Sequence, residues 1–246
     1  MTPILMVLVF FFFSGEFMKL SSATLFTIQN SCSYTIWPGT LSGDGATLLG
    51  GGGFALAPGD TVQLPAPPGW SGRFWARTGC SFDEAGAGSC ATGDCGGGIR
   101  CTGGGAPPVS LVEFTLGSAD GAAKDFYDVS LVDGYNVGVA VRPSGGAGEC
   151  QSAGCVADLN ADCPEELEVV DGSGAVVACK SACLAFNTAE FCCTGEHATA
   201  ATCPATPYSA VFKSACPTAY SYAYDDMSST CTCTDSDYFI TFCPST

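Results

Sequence analysis

Seventeen cysteines and twenty-four acidic side chains are the groups in this 246-residue chain with chemistry to offer. Cytosolic thiols at that density would be unusual, whereas an oxidising compartment turns them into a disulfide framework. A spacing such as Cys179-x3-Cys183 could hold zinc, but oxidised sulfur is the stronger reading, so neither a metal nor another cofactor is expected. Spacing alone cannot assign the pairs. Adjacent Cys192 and Cys193 are expected to point to different partners, and an odd total leaves at least one thiol free or bridging molecules. His197 is the one histidine, which rules out a multi-histidine metal centre and leaves a Ser–His–Asp mechanism a single candidate base. It sits in a Cys-rich loop and reads as a surface residue.

The acids offer a different chemistry. Two carboxylates about 5–5.5 Å or about 6.5–9.5 Å apart can hydrolyse a glycosidic bond, and the same groups can hydrogen-bond sugar hydroxyls. Glu113 lies mid-strand among apolar residues, Asp128 and Asp133 flank a short apolar stretch, and Asp225-Asp226 closes a tyrosine-rich segment. The plain alternative for any one of them is a solvated surface acid. With 8 basic against 24 acidic residues the formal charge is −16, so the chain repels a phosphate backbone and no nucleic-acid partner is expected. The glycine runs at 50–53 and 96–98 lack the Lys-Ser/Thr of a phosphate loop and read as turns.

These groups need elements to place them. Residues Pro3 to Phe13 form an apolar run too short to span a bilayer, and Ser21-Ser22-Ala23 suits signal peptidase. Residues 1–23 therefore read as a signal peptide, and Glu16 and Lys19 close the run too early for an anchor. The mature chain, 24–246, is expected to be a secreted, extracellular monomer with no stable membrane insertion. The 32 glycines and 14 prolines favour short strands and many turns. In the stretch 24–30, Leu25, Thr27 and Gln29 alternate with Phe26, Ile28 and Asn30. Further strands are predicted over 34–37, 54–56, 61–64, 72–78, 110–116, 220–224 and 238–242, with residues 38–53 a loop. The stretch 125–141 reads as two strands around the turn Asp133-Gly134. Ser181 to Phe191 is the short-helix candidate. The result is a β-sandwich whose first and last strands are neighbours.

At residues 86–101 the string Gly-Ala-Gly-Ser-Cys-Ala-Thr-Gly-Asp-Cys-Gly-Gly-Gly-Ile-Arg-Cys resembles the signature of thaumatin-like proteins, the fifth group of plant pathogenesis-related proteins, which includes osmotin-like antifungal proteins. Asn30 to Trp37, Leu111 to Leu116, Asp125 to Asn136, Phe191 to Thr194 and Phe242 to Pro244 resemble the same family, so the likeness spans the mature chain. It implies a mainly β, flattened sandwich of about eleven strands with two disulfide-rich excursions: a core from 24–79, 106–156 and 217–246, a small disulfide loop region at 80–105, and a Cys-rich region with a short helix at 157–216. It also implies eight disulfides: Cys32–Cys243, Cys80–Cys90, Cys95–Cys101, Cys150–Cys233, Cys155–Cys216, Cys163–Cys179, Cys183–Cys192 and Cys193–Cys203. Cys231 is left over, where similar proteins carry Phe, and is expected to be buried and inert. Cys231 rather than Cys233 is the other conceivable partner of Cys150.

The resemblance further implies an acidic cleft lined by Arg73, Glu113, Asp128, Asp133 and one Asp of the 225–226 pair, taken as Asp225. The function it implies is plant defence, antifungal, through binding of fungal-wall β-1,3-glucan. Glu113 and Asp128 are the acid/base candidates if the polymer is cleaved, at most as a weak endo-β-1,3-glucanase. The alternative is an inhibitor of a digestive enzyme, or a membrane-perturbing protein without sugar recognition.

Overall fold

A computed structural model describes residues 23–43, 45–118 and 124–245. The expected signal peptide lies, apart from residue 23, outside the described residues. In chain order the strands are β1 (Thr24–Asn30), β2 (Trp37–Ser42), β3 (Thr61–Ala66), β4 (Ser71–Arg77), β5 (Ser81–Phe82), β6 (Gly88–Ser89), β7 (Leu111–Thr115), β8 (Asp125–Ser130), β9 (Val139–Ala147), β10 (Ala153–Cys155), β11 (Glu168–Val170), β12 (Val176–Cys179) and β13 (Cys231–Phe242). The helices are α1 (Ala182–Phe186), α2 (Ala189–Cys192), α3 (Pro207–Ala215) and α4 (Asp226–Ser229).

Two layers make the sandwich. One runs β3-β1-β13-β9-β10, with β1 parallel to β13. The other runs β2-β4-β7-β8 and is antiparallel. Strand β13 belongs to both: Cys231–Cys233 pair with β8, and the rest pairs with β9 and β1. Between the pairs Thr234–Ala147 and Ser236–Gly145 stand Asp235, at φ 53°, and Gly146, at φ 85°. Both occupy the left-handed region, which bends the ribbon from one layer toward the other. A Cβ on Gly146 would fall 2.7 Å from Cys233 Sγ, so only glycine fits there.

The alternation in β1 buries Phe26, Ile28 and Asn30 completely. The ring of Phe26 meets Trp70, Phe74 and Phe114 with centroids 5.4, 5.0 and 4.7 Å apart, edge to face. Tyr127 and Tyr238 extend this cluster, and Tyr238 donates to Asp125 at 2.6 Å. The eight disulfides close as the resemblance implies, Cys150 pairs with Cys233, and Cys231 is a buried free thiol.

Several local expectations need correcting. The glycine-rich segment 38–53 is not all loop: β2 runs through Pro38 and Gly39 to Ser42, because the Trp75 ring lies over Gly39 where a side chain would be. Residues 54–56 make only a bridge, Leu56 to Ile36. The turn at Asp133-Gly134 exists, but the strands on either side of it are not partners, since β13 lies between β8 and β9. Tyr220–Tyr224 is not a strand: Tyr220 bridges Ser130 and the chain then turns into α4. The expected helix over 181–191 is two, α1 and α2, parted at Asn187 with φ 49°. Helix α3 is outside the expected set, although Thr206-Pro207-Tyr208-Ser209 carries its start: Thr206 and Ser209 form a reciprocal capping box and Pro207 opens the first turn.

Candidate functional site

Strands β4, β7 and β8 lie side by side, and their register sets the site. Arg73 on β4 is paired with Glu113 on β7, and Glu113 with Asp128 on β8. The three form a row across the outer face of the four-stranded layer. Their neighbours at odd spacing, such as Phe74, Val112, Phe114, Tyr127 and Val129, point into the core. A carboxylate directly opposite another in a sheet costs stability, so this row is not one that folding alone would favour.

An open groove follows the row. One half, about 300 Å³, extends from Arg73, Glu113 and Asp128 past Ser71 and Thr115 to Phe126. The other half, about 360 Å³, runs from the same three residues to Ser130, Asp133, Tyr220 and Asp226. Asp133 reaches it from the turn after β8, whose Gly134 N–H donates to Leu131 O at 2.9 Å. Arg73, Glu113, Asp128 and Asp133 are thus brought together as expected.

The 225–226 pair divides its duties. The Asp225 carboxylate accepts from Lys213 Nζ at 2.9 Å and from Ser221 N and Oγ at 3.0 and 2.8 Å. Asp226 lines the groove, where its Oδ1 accepts from the Tyr220 hydroxyl at 2.8 Å. The carboxylate that faces the groove is therefore Asp226, while Asp225 braces the wall behind it. Phe126, Ser130, Tyr220 and Asp226 stand outside the set expected from the sequence. Alternation along β8 does put Phe126, Asp128 and Ser130 on one face, a signal sufficient to find the first and last.

The electrostatics follow from burial and crowding. Burial, with Glu113 and Asp226 nearby, pushes the Asp128 carboxyl up to about 7. Burial also raises Glu113; Arg73 opposes this and Asp133 adds to it. Among the described residues Lys213–Asp225 is the one ion pair within 4 Å, so Arg73 biases Glu113 without closing on it. Near neutral pH Asp128 is divided between a neutral donor and an anionic acceptor. Two carboxyls with split protonation can serve as acid and base, or as donor and acceptor to hydroxyl groups. His197 lines neither half of the groove and its Nδ1 lies 2.8 Å from Thr202 O. Among the described residues no group of three His, Cys, Asp or Glu is placed to hold a metal ion.

Four residues along β4 from Arg73 stands Arg77, which is fully buried. Its guanidinium donates to Trp37 O, Gly98 O and Ile99 O at 2.9, 2.8 and 2.7 Å. These bonds fasten the 80–105 disulfide region onto β4. At the end of that region Gly104 comes so close to Arg73 that a Cβ there would lie 3.4 Å from the guanidinium.

Comparison with known proteins agrees with this architecture. Residues 30–244 match the family model described as "Thaumatin family". The chain is 64% identical over 222 residues to "Pathogenesis-related protein 5" of Arabidopsis thaliana, covering 90% of this chain and 91% of the relative. It is 51% identical over 225 residues to "Glucan endo-1,3-beta-glucosidase" of Prunus avium, covering 90% and 91%. Among solved structures it is similar to the thaumatin-like xylanase inhibitor TLXI, with a TM-score of 0.50, 26% identity and coverage of 89% of this chain and 99% of that one. This chain belongs to the thaumatin family.

Proposed function

We propose that this thaumatin-family chain is a secreted plant-defence protein whose acidic groove binds a β-1,3-glucan of fungal walls. The observation that carries the reading is the row Arg73–Glu113–Asp128, extended by Asp133 and Asp226 along one open groove. Carboxylates and hydroxyls in this array match the donors and acceptors of a sugar chain, and an open groove suits a polymer better than a closed cavity. The relative named as a glucan endo-1,3-beta-glucosidase supports the choice of polymer. Secretion is supported by the apolar run at 3–13, the small residues at 21–23 and eight disulfides, which need an oxidising compartment. No described helix is long and apolar enough to cross a membrane.

If the groove also cleaves its ligand, Asp128 is the acid, since burial, with Glu113 and Asp226 nearby, pushes its carboxyl up to about 7. Glu113, beside Arg73, is the base or nucleophile. The deciding experiment measures binding of laminarin, a soluble β-1,3-glucan, and release of reducing sugar, by the oxidised wild type and Glu113→Gln. Binding lost in the variant supports the groove. Absence of wild-type binding removes the proposal, and binding without sugar release leaves a lectin-like module.

A second reading is favoured by the likeness to a xylanase inhibitor: the chain blocks a carbohydrate-degrading enzyme by surface contact. It predicts inhibition of an isolated glycanase with glucan absent, and indifference to Glu113→Gln.

A further inference from the structure

The end of the five-stranded layer carries a recess as large as the acidic half of the groove, about 360 Å³, and shares no residue with it. Four chain segments meet there: 31–34 after β1, 135–138 before β9, 156–160 after β10, and Cys243-Pro244 after β13. We propose that this recess is a second saccharide site, which takes one neutral, hydroxyl-rich ring.

Its chemistry has the two components that sugar recognition needs. Tyr34 is 46% exposed and Val156 likewise 46%, giving an aromatic and an aliphatic wall for the C–H faces of a ring. Asp158, Ser31 and Ser33 line the same recess and bring a carboxylate and two hydroxyls. Among the described residues no cation pairs with Asp158 within 4 Å; it accepts only the Asn160 N–H, at 3.1 Å. Bonds from ligand hydroxyls to such a carboxylate are charge-assisted and stronger than neutral ones. The Asn160 side chain donates to Asn136 O at 3.1 Å, while its buried Oδ1 has no donor among the described residues. Among the described residues no Lys, Arg or His lines the recess, which disfavours an anionic ligand. Its acceptors are spread around the walls, which matches dispersed hydroxyls better than one concentrated positive charge.

The recess is also preformed. Cys32–Cys243 ties its first and last segments, Cys243 N–H donates to Gly138 O at 2.8 Å, and Tyr135 O–H donates to Ala157 O at 3.0 Å. The turn at 31–34 is held by Asn30, whose side chain donates to Tyr34 O and accepts from Cys32 N–H, both at 2.9 Å. Little ordering is left for a ligand to impose, so the few available contacts are expected to show as measurable, millimolar binding.

The test is a titration of the full oxidised chain, ¹⁵N-labelled, with glucose, galactose, mannose, xylose and arabinose, and with glucosamine. At least one neutral sugar is expected to shift the amides of Ser33, Tyr34, Gly138 and Val156. Asp158→Asn, which keeps the local turn, and Tyr34→Ala should each weaken that binding about tenfold. Glu113→Gln should leave it unchanged. No shift at these amides with any neutral sugar overturns the proposal, as does undiminished binding by Asp158→Asn in a spectrum that otherwise remains native. Glucosamine binding tenfold tighter than every neutral sugar would also overturn it, making the recess an amine site.

Discussion

Glu113 and Asp128 hold opposing register positions on β7 and β8, so two carboxyls share one patch of the outer sheet face, with Arg73 the cation paired beside Glu113. The sign of the resulting pH dependence follows directly. Asp128 has an ordinary value of 3.8 and is pushed up to about 7 in the fold. Between those values the folded chain binds more protons than the unfolded one, so this group makes stability fall as pH rises across the window. Asp128→Asn cannot ionise. It is expected to flatten that fall and to raise stability above pH 7 by about 1–2 kcal/mol after solvent screening, while abolishing any acid-dependent sugar cleavage. Urea denaturation of both proteins from pH 4 to 8 checks it, and parallel profiles would refute the upward shift of Asp128 by burial and its acidic neighbours.

Asp225 and Asp226 are neighbours with separable roles. Burial alone would raise Asp225, but the hydrogen bonds from Lys213 and Ser221 outweigh it and hold its carboxyl below the ordinary value. A lowered carboxyl contributes stability that is complete above its unfolded pKa and is lost as pH falls through the folded one. Asp225→Asn is therefore expected to cost about 1–2 kcal/mol at pH 7, a cost that shrinks progressively as pH falls below the ordinary carboxylate range. Asp226→Asn should leave stability within about 0.5 kcal/mol and weaken laminarin binding. Denaturation and binding measured on both variants decide it; exchanged phenotypes would reverse the assignment.

What the residues reveal by themselves, and what they conceal, divides along the range of the interactions. Alternation in β1, β4 and β7 is a local signal, and it suffices to put Arg73 and Glu113 on strands. The family signature around Cys90, Cys95 and Cys101 carries the sulfur pairing. The place of β13 between β8 and β9 is hidden, because its pairing to β8 joins residues about a hundred positions apart and leaves no mark on the turn at Asp133-Gly134. Strand β2 is masked by its glycine, which is present for the Trp75 ring rather than for a turn. Asp225 and Asp226 are adjacent and chemically alike. Their partners in the fold separate them: Lys213, one turn along α3 from the capping box, and Ser221 hold Asp225, while Tyr220 donates to Asp226.

Arg77 is a buried cation that donates to three backbone carbonyls and to Cys95 Sγ, so its removal leaves Trp37 O, Gly98 O and Ile99 O without that donor. Arg77→Met, similar in bulk, is expected to cost about 2–4 kcal/mol. Arg77→Lys should recover only part of it, since one ammonium cannot reproduce the planar fork. Hydrogen exchange of residues 95–101 should speed up in both variants ahead of global unfolding. Unchanged protection there would mean that Arg77 does not fasten the disulfide region.

Cys231 lies opposite Tyr127 in the β13–β8 register and is only 5% exposed. Burial, reinforced by Asp128 and Glu149, pushes its thiol up, so little thiolate forms at neutral pH and the sulfur is shielded as well. Iodoacetamide is expected to leave the folded chain unlabelled over hours. In denaturant without reductant it should label one cysteine per chain, and peptide mapping should place the label on Cys231. Cys231→Val fills nearly the same space and should change stability by no more than about 1.5 kcal/mol. A label found on Cys233 would show that Cys150 had taken the other partner, and rapid labelling of the native chain would show the thiol to be reachable after all.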